Sequence, residues 1–103
     1  MPIEALIRSN DSPADITTRI LETIKERAIE KWGSKRWSLE LTRAYCELCK
    51  ENGDDAASVN NRRRSINRVF ESHGCNLETA IALAACVDCR FQLVRTHVEV
   101  LPI

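Results

Sequence analysis

The chain predicts an all-α domain of about five helices with a C-terminal β-strand. Apolar residues recur at spacings of three and four through most of its length, and Ser, Asn and Gly punctuate those stretches at capping positions. The period changes to two only after Arg90. At 103 residues, the chain suits one compact unit with a hydrophobic core.

The first ten residues hold a small apolar patch, Ile3, Leu6 and Ile7, too short to assign. Ser12-Pro13-Ala14-Asp15 then combines an N-cap, a proline at the first helical position and an acid at the third, which starts a helix. Ile16, Ile20, Leu21, Ile24, Ala28 and Trp32 share one face of it, and Gly33 stops it. After a basic turn, Ser38 caps a second helix carrying Leu41, Tyr45, Leu48 and Asn52 on one side, and Gly53 ends it. Asp54 or Asp55 caps a short third helix from Ala56 to about Val59, followed by a tight turn at Asn60.

The fourth helix runs from Arg62 to about Ser72, burying Ile66, Val69 and Phe70, with Gly74 closing it. Asn76 caps a fifth through Leu77, Ala80, Ile81, Leu83, Ala84 and Val87, apolar on most sides as a central helix would be. Val94, Thr96, Val98 and Val100 alternate with Arg95, His97 and Glu99 in a terminal strand. That strand needs a hydrogen-bonding partner. The same strand of a second copy would supply one and make a homodimer, and residues Ile3 to Ile7 are the alternative within the chain. Residues 1–37 form an N-terminal segment with one amphipathic helix, residues 38–103 form the remaining core, and the two make one unit.

Fifteen basic residues balance fifteen acidic ones, which excludes a protein that coats nucleic acid by bulk charge but permits one basic face. The longest apolar run, Ala80 to Val87, falls well short of the roughly 20 residues a membrane-spanning helix needs, and no signal-peptide pattern begins the chain. A soluble, cytoplasmic protein is expected. Five cysteines would leave one thiol over after disulfide pairing, so reduced thiols are the simpler expectation. Cys46-Glu47-Leu48-Cys49 and Cys86-Val87-Asp88-Cys89 have the arithmetic of a zinc site. Their helical positions instead suit core thiols acting as small hydrophobes, so no metal or other cofactor is expected. Cys75, in a turn, should be the exposed thiol.

Catalytic signals are thin: His73 and His97 accompany no nucleophile motif and no Gly-rich phosphate loop. Glu22, Glu26 and Glu30 repeat every four residues but interleave with Lys25 and Lys31, as a solvated helix face does. The chain is not expected to be an enzyme.

The informative stretch is Asn60-Asn61-Arg62-Arg63-Arg64-Ser65-Ile66-Asn67-Arg68, with four arginines, three asparagines and no acid. Arg can bond guanine through two hydrogen bonds, Asn can do the same with adenine, and either can hold phosphate. Arginines in the first turns of a helix oppose its dipole, so stability alone does not account for them. Arg63, Arg64 and Asn67 are therefore candidates for base edges, with Asn60, Arg62 and Arg68 nearer phosphates and Asn61 beside them at the helix start.

From Leu39 to Val94 the order of elements resembles the helix-turn-helix domain of lambda-repressor-like (XRE-type) regulators, including the addiction-module antitoxins of that class. The resemblance rests on Ser65-Ile66-Asn67-Arg68-Val69-Phe70, Gly74, and the run Asn76-Leu77-Glu78-Thr79-Ala80-Ile81-Ala82-Leu83-Ala84, with Asn60 where the family's turn usually has glycine. It implies a homodimeric repressor that inserts the Arg-rich helix into the major groove of double-stranded DNA. Two alternatives accompany it: an antitoxin whose first 37 residues hold a toxin, and an adapter that binds only protein through the helix from Pro13 to Trp32.

Overall fold

The computed structural model describes residues 2–4, 12–54 and 57–92. They form β1 (Pro2–Glu4), α1 (Pro13–Trp32), α2 (Trp37–Glu51), α3 (Val59–Ser72), α4 (Leu77–Cys86) and β2 (Arg90–Gln92). The molecule is mostly helical, and no helix among the described residues is long and apolar enough to cross a membrane.

Helix α1 starts where its cap chemistry puts it. The Ser12 hydroxyl accepts the Asp15 N–H at 3.2 Å, and Asp15 accepts the Ser12 N–H at 3.4 Å, a reciprocal capping box. Gly33 ends the helix at φ 91°, donating its N–H to the Ile29 carbonyl at 2.7 Å. Asn76 caps α4 as expected, its side chain accepting the Thr79 N–H at 2.7 Å.

Helix α2 begins one residue before the expected cap. Ser38 lies inside its first turn and makes no cap; its hydroxyl donates to Asn67 on α3 at 2.6 Å, and its carbonyl accepts from the buried Thr42 hydroxyl at 2.8 Å. Thr42 is thereby satisfied despite zero exposure.

The described residues form four helices, where five are expected. Ala57 and Ser58 have irregular backbone inside the expected short helix, whose remaining residues before Val59 lie outside the described set. The turn expected at Asn60 is also corrected, because Asn60 and Asn61 belong to α3. The Ser58 hydroxyl accepts the Asn61 N–H at 3.3 Å while the Asn61 side chain accepts the Ser58 N–H at 3.0 Å. This box starts the helix three residues earlier than the arginines alone suggest.

At the other end of α3, His73 rather than Gly74 takes the left-handed position, at φ 55° and ψ 37°, with its N–H directed to the Val69 carbonyl. A side chain costs energy there because its Cβ crowds the following carbonyl. His73→Gly should therefore raise stability by about 0.5–1 kcal/mol, the relief of that strain less the added entropy of an unfolded glycine, as read from urea denaturation.

Leu21, Ile24 and Ala28 of α1, Leu41 of α2, Ile66 of α3, and Leu83 and Ala84 of α4 meet with Val87 and Cys89 in one core. Helix α2 is the hub, packing against α1, α3 and α4, whereas α3 and α4 scarcely touch. Helix α2 thus takes the central place expected of α4. Of the side chains expected to hold α3 against α4, Ile66 and Leu83 are in the core and Val69 and Phe70 pack on it, whereas Leu77 and Ile81 do not. Those two side chains are 68% and 47% exposed. The edge-to-face pair of Trp37 and Phe70, with centroids 5.3 Å apart, fastens α3 to the start of α2 instead.

β1 and β2 pair in parallel, with Pro2 opposite Arg90, Ile3 opposite Phe91 and Glu4 opposite Gln92. β2 thus finds its partner within the chain, in a segment that overlaps the Ile3–Ile7 alternative at Ile3 and Glu4. The alternation from Val94 to Val100 lies outside the described residues.

Candidate nucleic-acid interface

Helix α3 sorts its polar residues by angle. Ile66 points inward at 2% exposure, with Val69 and Phe70 half-buried on either side. Asn60, Arg63, Arg64 and Arg68 are exposed, and with Asn67 and Glu71 they line one open concavity of about 520 Å³. Their spacing of three and four places them on a single helical stripe. Among the described residues, Arg63, Arg64 and Arg68 form no ion pair. Their charge adds to the positive end of the α3 dipole, since no acid occupies the first turn of the helix.

Three of the seven expected contact residues also have structural work. Asn61 closes the capping box. Arg62 is half-buried, and its guanidinium pairs with Asp54 in the connection before α3, with Nε buried and without a partner. It is turned away from the stripe and fixes the connection to the helix. Asn67 accepts the Ser38 hydroxyl, which holds its amide in one orientation while it still lines the concavity.

A neighbouring depression shares Asn67 and Glu71 and adds Lys25, Trp37, Phe70 and His73. Lys25 stands over the Trp37 ring, 5.2 Å from its centroid. Lys25 on α1 thus flanks the arginine stripe, a placement the sequence does not signal because the two residues meet only through packing.

Four of the five thiols are buried or pack against the core, and Cys49 lines a concavity between α2 and α4. Cys46 and Cys89 are buried, and Cys49, Cys75 and Cys86 are half-buried. The expectation of an exposed Cys75 is corrected: it packs against the core, and burial pushes its thiol pKa up. Burial also raises Cys86, to about 11, with Cys49 and Cys46 adding to the rise and Lys31 opposing it. Cys46 and Tyr45 shift the same way, burial first and then Cys49. Among the described residues no group of three His, Cys, Asp or Glu side chains is placed to hold a metal ion.

Because the folded-state value of Cys86 lies above the ordinary one, the stability it contributes is fully present below about pH 9, the ordinary thiol value, and is lost as pH rises through the folded value. The thermal midpoint should fall between about pH 9 and 11, and Cys86→Ala should flatten that fall. An equally steep fall in the variant would assign the alkaline transition to other groups.

No protein-family model, curated protein or solved structure matches the chain. The case for function therefore rests on the site itself.

Proposed function

We propose that the chain is a sequence-specific, cytoplasmic DNA-binding regulator that lays the exposed face of α3 in the major groove and acts as a repressor, as the resemblance to lambda-repressor-like proteins implies. One observation carries the reading: Asn60, Arg63, Arg64, Asn67 and Arg68 share a single open face in a chain whose net charge is zero. A basic stripe on an otherwise balanced protein is the electrostatic footprint of phosphate binding, and the Arg and Asn side chains can read base edges. Arg63, Arg64 and Asn67 address bases, Asn60 and Arg68 address phosphates, and Lys25 extends the phosphate contacts at the stripe's edge.

In this reading the helix-turn-helix core is α2, the connection at residues 52–58, and α3. That connection is longer than the tight turn the resemblance implies, so α3 is oriented by the Asp54–Arg62 pair, the Ser38–Asn67 hydrogen bond and the Trp37–Phe70 contact. Two copies on a near-palindromic operator remain part of the proposal, with stoichiometry read from the same titration. Fluorescence anisotropy against DNA from upstream of the chain's own gene and against a scrambled duplex tests it. Saturable binding that prefers the upstream DNA is expected; equal, weak binding to both sinks the reading.

A further inference from the structure

The basic stripe has a counterpart. Two concavities run between α2 and α4 and share Leu48 and Ala85, so they form one continuous groove, the larger part enclosing about 550 Å³. Leu48 from α2 and Ile81, Ala82 and Ala85 from α4 give it an apolar strip, and Asn52, Asn76 and Thr79 line it as well. Ile81 is 47% exposed there. An exposed large side chain beside other apolar groups in a groove marks an interaction surface more than a scattered one does.

The charges around the groove select its occupant. Glu47 and Glu51 stand on the α2 side and Glu78 on the α4 side, and no Lys, Arg or His lines either part. Asp54 lies on the same lip but pairs with Arg62. Lys31, near the far end at Cys86, pairs with Asp88. A second copy docking groove to groove would set carboxylates against carboxylates, whereas a helix with an apolar stripe and flanking lysines or arginines would meet both the apolar strip and the rim.

We propose that the groove between α2 and α4 is a docking site for a basic amphipathic helix of a protein partner. It goes beyond the DNA-binding reading and does not depend on it, because the groove shares no lining residue with the arginine stripe.

The test is a titration of the full chain against two labelled helical peptides of about 18 residues, roughly five turns. Both carry a leucine stripe; one is flanked by lysine and the other by glutamate. Saturable binding of the lysine peptide alone is expected. A variant with Glu47→Lys, Glu51→Lys and Glu78→Lys should bind that peptide about ten-fold more weakly, as three surface charge pairs allow, and should gain binding to the glutamate peptide. Ile81→Asp should weaken the lysine peptide as well, and Arg63→Ala with Arg64→Ala should leave it unchanged. Circular dichroism checks that each variant is folded, which the exposure of these positions favours. Equal binding of both peptides, or of neither, overturns the proposal. A dimer in sedimentation velocity that Ile81→Asp dissociates also overturns it, because the groove would then belong to a second copy.

Discussion

Leu41→Ala should lower the unfolding free energy by about 3 kcal/mol, within the usual cost of truncating a buried leucine. Leu41 has no exposed surface and sits on α2, the helix that packs most extensively against the other three. The cavity left by its truncation would open at the point where α1, α3 and α4 depend on α2. Ile81→Ala removes a comparable side chain from α4, yet about half of Ile81 is already in water, so its cost should stay below about 1 kcal/mol. Urea denaturation of both variants measures the contrast. Against a total stability of roughly 5–15 kcal/mol, the first is a large loss and the second a small one. Equal costs would mean that Ile81 is covered in solution, and would return α4 to the central place its composition suggests.

That contrast marks where the sequence stops being legible. Ser12, Asp15, Gly33 and Asn76 act on backbone groups within three or four residues, so their chemistry is visible in a short window and α1 and α4 fall where it puts them. The start of α3 depends on an equally local box, Ser58 with Asn61, but there Asn60 and Asn61 also suit a turn, and that competing signal points the wrong way. The role of α4 is different in kind. Leu77, Ala80, Ile81, Leu83 and Ala84 are apolar whichever way the helix faces, and only packing decides that Leu83 is buried while Ile81 is exposed. The candidate site divides the same way. Its residue types and their spacing are readable from Asn60 to Arg68, but the withdrawal of Arg62 to Asp54, the fixing of Asn67 by Ser38 and the approach of Lys25 come from contacts between elements.

Arg63→Ala, Arg64→Ala and Arg68→Ala together should nearly abolish specific DNA binding and flatten its dependence on salt. Each phosphate contact made by a cation releases counterions and contributes about 0.9 to the slope of log K against log salt. Losing the Arg68 phosphate contact should reduce the slope by about 1, and losing guanine readout by Arg63 or Arg64 should cost about a further 1–3 kcal/mol at its base pair. Arg62→Ala is the informative control, because the sequence alone groups Arg62 with its neighbours whereas the fold gives it to Asp54. The slope should stay near the wild-type value in that variant, while stability falls because Asp54 loses its partner at the connection before α3. A slope reduced as much by Arg62→Ala as by Arg68→Ala would show that the Asp54 pair opens on DNA and that Arg62 turns to the backbone. The stripe would then gain a contact, and the connection at residues 52–58 would be the element that rearranges on binding.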